Sequence, residues 1–416
     1  MAPVSRYLGE TVAPFQEVVG ACRHFAWRGF GRMAGLKAYL DYNASTPLRP
    51  CARDAAVRWI DSANASSTHA AGRTVRAEIE RCRSVVAGLA GGGTVIFTSG
   101  ATEAAQTALT PHYVNGRTPG RFDTLLVSAT EHACVLAGGR FPTERMHTVP
   151  VDANGSVDLD SLDGALRSAT GRSLVAVMLA NNETGVVQDI AAIAAVVHAH
   201  DGLLVCDAVQ GFGRMDVAAA GRCADVLLLS GHKLGGPKGA GAVVVRDGSP
   251  KPEPLLAGGG QEGGHRGGTE NVSAISGLAS ALQVACEDDS RHFAGLRERF
   301  EAKARSLHPQ LTIHGEDVRR LPNTSLFSFT SIPAETAVIA FDLGGIAVSS
   351  GSACSSGKVG ESHVLAAMGA ARTDAVRLSV GHATTLDEID AALATFARLA
   401  ERDLEKTAAR ALAEAA

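Results

Sequence analysis

The sequence predicts an α/β protein with a largely parallel sheet sandwiched by helices, joined to a smaller α+β layer. Three observations predict it: short β-branched runs that are apolar at every position, amphipathic stretches between those runs, and a change after Thr269 to long helical patterns followed by shorter strands. A strand that is apolar throughout is buried on both faces, so helices must cover the sheet on two sides.

The runs in order are Thr94–Thr98, Thr124–Ser128, Leu174–Leu179, Leu203–Cys206, Val226–Leu229 and Ala242–Val245. Arg76–Leu89 and Asp189–His200 carry apolar residues at helical spacing between them. Helices are then expected over Thr269–Cys286 and Arg291–Leu307, and strands over Ser325–Phe329, Ala347–Ser349 and Val376–Val380. The Ala-rich tail after Ala400 ends as a frayed helix, and Gly258 to Gly268 reads as a flexible loop. No internal repeat or low-complexity tract interrupts the pattern.

With 416 residues, the chain is long enough for two or three domains at roughly 150 residues each. It is 45% hydrophobic and 20% charged with 46 glycines, the balance of a folded chain rich in tight turns. Lys plus Arg number 39 against 43 Asp plus Glu, a net charge of −4, so nucleic acid and acidic bilayers are not expected partners. The uncharged run from Val85 to Thr102 is broken by Gly91-Gly92-Gly93, and no membrane segment is expected. Eight scattered cysteines without a C-x-x-C pair or a secretory apolar region fit reduced thiols in the cytoplasm. Residues 1–33, with four Arg and two Glu ahead of Met33, read as a leader-like extension or an over-long start.

Ligands collect at the carboxyl ends of parallel strands, and three polar clusters follow such ends. After Thr98 comes Ser99-Gly-Ala-Thr-Glu103, a turn into a helix whose N–H groups and Thr102 hydroxyl can hold a phosphate, although alone it is an ordinary strand-to-helix turn. After Cys206 comes Asp207-Ala-Val-Gln210, and after Leu229 comes Ser230-Gly-His-Lys233. Pyridoxal phosphate needs an acid and a lysine that meet across one cleft: the lysine forms a Schiff base and the acid keeps the ring nitrogen protonated. An ordinary salt bridge is the competing reading. The apolar, Gly-rich context of Lys233, with Ser230, His232 and a phosphate-type turn nearby, favours the cofactor.

Ser230-Gly-His-Lys-Leu-Gly-Gly-Pro-Lys-Gly239, Asn181-Asn-Glu-Thr-Gly-Val-Val-Gln188 and Tyr39-Leu-Asp-Tyr-Asn-Ala-Ser-Thr-Pro47 together closely resemble the cysteine desulfurases of the NifS/IscS type, fold type I pyridoxal-phosphate enzymes of the class V aminotransferase group. The resemblance runs from about Tyr39 to about Leu399. It implies that Lys233 holds the cofactor and moves the substrate α-proton, and that Asp207 pairs with the ring nitrogen. Gln210 and Asn182 would contact the phenolic oxygen and nearby substrate atoms. His132, in Ala129-Thr-Glu-His-Ala133, would stack on the ring and transfer protons, unless it only caps the next helix. Ala101, Thr102, Ser230 and His232 would hold the phosphate, with Thr269 supplied by the opposite subunit of a homodimer. Arg377 would grip the substrate carboxylate. Asn64 and His69 would sit in a loop that completes the pocket. No metal is expected.

Seven cysteines fall in or beside expected helices and strands, where Cys behaves as a small buried hydrophobe. Cys354 instead sits in Ser349-Ser-Gly-Ser-Ala-Cys-Ser-Ser-Gly357, small polar residues expected to leave its thiol accessible. The implied reaction converts L-cysteine to L-alanine with a persulfide on Cys354. An acceptor protein or thiol then takes the sulfur for iron–sulfur or thio-cofactor assembly. A selenocysteine lyase, another class V aminotransferase-type enzyme and a catalytically silent sulfur-machinery scaffold are the alternatives. The sequence departs from the family pattern at Gly263 and His382, where Arg is usual, and at Glu361, where Pro is frequent. The resemblance also implies a large cofactor domain over 56–288, a small domain from 39–55 and 289–416 carrying the Cys354 loop, and an extension over 1–38.

Overall fold

In the computed structural model, which describes residues 35–351 and 361–415, the first elements are β1 (Ala38–Tyr39), α1 (Pro50–Arg58), α2 (Ala70–Ala90), β2 (Thr94–Thr98) and α3 (Ala101–Ala108). They lead through β3 (His112–Asn115), β4 (Thr118–Arg121), β5 (Thr124–Ser128), α4 (Ala133–Leu136), β6 (Met146–Val149), α5 (Leu159–Ser168) and β7 (Ser173–Met178). Next come α6 (Ile190–Ala199), β8 (Leu203–Asp207), α7 (Ala218–Cys223), β9 (Val226–Ser230), β10 (Gly241–Val245), β11 (Lys251–Pro252), α8 (Val272–Ala285) and α9 (Ser290–Leu307). The remaining elements are β12 (Thr312–Ile313), β13 (Thr324–Ser328), α10 (Ala334–Leu343), β14 (Ile346–Ala347), β15 (Ser349–Ser350), α11 (His363–Ala367), β16 (Val376–Ser379) and α12 (Leu386–Ala415).

Seven strands form the central sheet in the order β2-β10-β9-β8-β7-β5-β6. The neighbours from β9 to β6 run parallel, and β10 runs antiparallel to both β9 and β2. The expected parallel sheet therefore contains one reversed strand. Residues 231–240 are too short for a helical crossover, so β10 returns beside β9 in the opposite sense. That reversal puts the turn carrying Lys233 at the edge where the parallel strands end.

α2 shows how local sequence serves this sheet. Val75, Ile79, Cys82, Val86 and Ala90 are buried at helical spacing and join the core under the sheet. The His69 side chain accepts from Gly72 N–H at the start, and Gly91, at φ 95°, ends the helix in a left-handed conformation that a side chain would disfavour. The helix begins at Ala70, ahead of the expected Arg76. α8 begins at Val272, later than the expected Thr269, because the Asn271 side chain caps it by accepting from Ala274 N–H.

The second layer is a four-stranded antiparallel sheet, β12-β13-β16-β15. Its core holds Phe300, Phe327, Phe329 and Phe396, with Phe329 and Phe396 stacked at 5.2 Å between ring centroids. The run expected as one strand over Ala347–Ser349 divides between two sheets: β14 pairs with β1, and β15 pairs with β16. The hairpin β3–β4, extended by β11, was not expected, because its strands carry too few apolar residues to signal more than the Asn115-Gly116 turn. Cys51, Cys82 and Cys206 are buried as expected, whereas Cys286 is exposed, because it stands past the last buried turn of α8. Among the described residues, no helix is long and apolar enough to cross a membrane.

Candidate active site

A cavity of about 610 Å³ opens where β2, β5, β7, β8 and β9 end. Ala101, Thr102, His132, Asn182, Asp207, Gln210, Ser230, His232 and Lys233 all line it. They come from five strand ends or the turns that follow, which is how residues far apart in sequence meet. The floor is tight at Gly241, where a Cβ would lie 2.6 Å from both Gly100 Cα and the Leu229 carbonyl oxygen.

Lys233 Nζ donates to the Asn43 carbonyl at 2.7 Å and to the Ala44 carbonyl at 2.9 Å. The segment carrying those carbonyls is itself fastened: Thr46 Oγ1 donates to the Lys233 carbonyl, and Asn43 Nδ2 donates to the Asn182 carbonyl and to Thr324 Oγ1. Asp207 is buried, and its Oδ1 accepts from Val209 N–H at 2.9 Å. Burial raises its carboxyl above the ordinary range, opposed by the Val209 N–H and by the charges of His132 and Lys233. Glu131 lies beside it, fully buried, with Oε1 accepting from Met178 N–H at 2.6 Å; burial and then the Asp207 charge push its carboxyl far up. His232 is held down at about 4 by burial and then by the charges of Lys233, Lys238 and Arg214.

His132 does cap a helix: its Nδ1 accepts from Cys134 N–H at 3.2 Å at the start of α4, while the residue also lines the cavity. The cap therefore does not take His132 out of the cavity lining. Arg377 is completely buried in β16 and is not among the residues lining the cavity; it donates to the carbonyl of Asn182, which does line it, at 3.0 Å and to Asp41 Oδ1 at 2.7 Å. Asn64 and His69 do not line the cavity. Asn64 is exposed and accepts from Ser66 N–H, and His69 caps α2. Thr269 lines a smaller neighbouring cavity of about 150 Å³ that shares Ser99 and Gly239 with the larger one. His382 lies away from the cavity against Tyr42, at 6.0 Å between ring centroids. Cys354 lies outside the described residues. The described residues flanking it are fastened: Gly351 N–H donates to the Ala375 carbonyl, and Ser362 Oγ donates to Glu183 at 2.6 Å.

Sequence reasoning missed Asp41, Asn43, Glu131, Glu183 and Arg214 as parts of the site. Asn43 acts through its main-chain carbonyl as well as its side chain, and a carbonyl has no signature in the sequence.

The donor set suits pyridoxal phosphate: an amine at Lys233 for its aldehyde, a buried carboxylate at Asp207 for its ring nitrogen, and the first turn of α3 with Thr102 for its phosphate. An α/β sheet with that set at its carboxyl edge defines a pyridoxal-phosphate enzyme of fold type I. The chain belongs to the aminotransferase class-V family, whose pattern matches residues 38–392. It is 38% identical over 366 residues to a cysteine desulfurase of Cereibacter sphaeroides, covering 85% of this chain and 93% of that one. It is 34% identical over 379 residues to the cysteine desulfurase IscS of Dictyoglomus turgidum, covering 88% of this chain and 95% of that one. The solved NifS-like protein of Rickettsia africae ESF-5 superposes with a TM-score of 0.76 at 31% identity, covering 88% of this chain and 99% of that one.

Proposed function

We propose that this chain is a cysteine desulfurase that converts L-cysteine to L-alanine and leaves the sulfur as a persulfide on Cys354. The convergence of Lys233 and Asp207 on one cavity carries the reading, in a chain similar to cysteine desulfurases over most of its length. Pyridoxal phosphate, when bound, supplies an electron sink for charge released at the substrate α-carbon. Lys233 Nζ anchors the cofactor and takes the α-proton. Asp207 faces the ring nitrogen, Gln210 and Asn182 face the phenolic oxygen, and His132 serves as aromatic neighbour and proton carrier. Ala101, Thr102, Ser230 and His232 hold the phosphate end. Arg377, held by Asp41, orients the substrate carboxylate. The Cys354 thiolate attacks the substrate sulfur. The new S–S bond forms as the β-carbon to sulfur bond breaks, and a proton delivered to carbon completes alanine.

The same reading takes residues 56–288 as the cofactor domain and 39–55 with 289–416 as the domain bearing Arg377 and Cys354. It includes a cytoplasmic homodimer in which Thr269 serves the partner's cavity, and a protein acceptor that carries sulfur toward iron–sulfur assembly. The test is Cys354→Ala. The variant is expected to keep the yellow absorbance of bound cofactor and to lose alanine formation from cysteine. Undiminished turnover would eliminate the assignment.

A further inference from the structure

Arg214 is a buried cation that the chemistry above leaves unused. It follows β8 in the turn that carries Gln210, is only 7% exposed, and donates to the Gln210 carbonyl at 3.0 Å, to Gln210 Oε1 and to the Tyr42 carbonyl at 3.2 Å. All three acceptors are neutral, and the neighbouring charge that lowers it is another cation, Arg377. Burial and that repulsion lower its guanidinium to about 9. Holding a guanidinium out of water without a carboxylate is strongly unfavourable, and an apolar side chain of similar length would fill the same space without the penalty. A buried charge of this kind beside a cavity points to a role in the site.

Geometry shows the role. A guanidinium has donors only, so the Gln210 amide must turn its oxygen toward Arg214 and its nitrogen away. That nitrogen donates to the Asn43 carbonyl at 3.1 Å, the same oxygen that accepts from Lys233 Nζ at 2.7 Å. The Tyr42 and Asn43 carbonyls are consecutive, so the guanidinium and the Lys233 amine are held by neighbouring peptide groups of one segment. Gln210 and Lys233 both line the cavity. The Arg214 charge is also among those acting on His232, another cavity residue.

We propose that Arg214 is a positioning residue for the cofactor site: it fixes the orientation of the Gln210 amide and places an uncompensated positive charge beside the nitrogen that carries the cofactor. The inference rests on cofactor attachment at Lys233, as read above. The other charged or titratable groups on the cavity are Glu103, His132, Cys134, Asp207, His232 and Lys238, and those packed around Arg214 behind it are Tyr42, Arg49, Asp288, Arg377 and His382; all of them remain in the variants that test it.

The experiment uses the holoenzyme of Arg214→Met and Arg214→Lys, with a pH titration of the visible cofactor band, the rate of cofactor dissociation, and a melting curve. A cation opposes a proton on the attached nitrogen. Removing it in Arg214→Met is expected to raise the midpoint of the band by about one pH unit and to speed dissociation at least roughly fivefold. Arg214→Lys keeps the charge but not the planar fork, so its midpoint stays near the parent's while dissociation still quickens. A folded Arg214→Met holoenzyme with the parent's midpoint and dissociation rate overturns the proposal, as does an Arg214→Lys midpoint that moves as far as that of Arg214→Met. Should Arg214→Met not fold, Arg214→Gln is compared in the same way. Cysteine turnover is no part of the readout, so failure of the desulfurase reading shows separately, as an intact band with no alanine formed. A parent chain that takes up no cofactor overturns both.

Discussion

Replacing Asp41 by Ala would remove the carboxylate bonded to Arg377, a completely buried cation. The pair is bonded at 2.7 Å, with Arg377 completely buried and the Asp41 side chain 19% exposed. Charges about 4 Å apart at an effective dielectric constant near 20 attract by about 4 kcal/mol. Breaking such a pair while its cation stays buried typically costs about 3–5 kcal/mol. Some water reaches Asp41, so the lower end applies, and Asp41→Ala is expected to destabilise the protein by about 3 kcal/mol in urea unfolding. The guanidinium also loses one of the contacts that orient it, so KM for L-cysteine should rise at least about tenfold. Asp41→Asn keeps an acceptor and should lose about half as much stability. The double variant Asp41→Ala/Arg377→Met, in which the buried cation goes together with its ion pair, should be more stable than Asp41→Ala alone. A loss under about 0.5 kcal/mol in Asp41→Ala with an unchanged KM would show that the pair neither stabilises the fold nor places the anchor.

Two further predictions rest on single residues. Burial holds the His314 imidazole down at about 4, against an ordinary value of 6.5. Between those values the unfolded chain binds a proton that the folded chain does not, so stability falls as pH falls through that window. The contribution is about 2 kcal/mol between pH 7 and pH 4.5, and His314→Gln should flatten the dependence of urea midpoints on pH by that amount; identical slopes would contradict it. Gly241→Ala places a Cβ 2.6 Å from backbone atoms of both Gly100 and Leu229. Backbone on two sides cannot give way, so a loss of about 2–3 kcal/mol and weakened cofactor uptake are expected, and a melting temperature equal to the parent's would refute the close contact.

Much of the architecture was readable before any coordinates. Uniformly apolar runs such as Leu203–Cys206 and Val226–Leu229 became strands buried on both faces, because a strand with no polar face has only one stable place. The reversed strand β10 was not readable, since its run Ala242–Val245 looks like its parallel neighbours and only the short connection from β9 sets its direction. The same limit explains the site. Asp207, Lys233 and Thr102 were legible as neighbours on one cavity because each stands at or just after the end of a strand. Glu131 and Arg214 were not, because such residues usually face water, and nothing local marks the few that folding buries.

The amino-acid order alone determined the apolar strands of the central sheet and the family, because periodicity and side-chain type are local properties. Only the tertiary structure decided which main-chain carbonyls hold Lys233 and that Arg377 rests on Asp41, 336 residues away in the chain. Those pairings depend on the angles at which two layers of structure meet, and such angles are set by packing across the whole core.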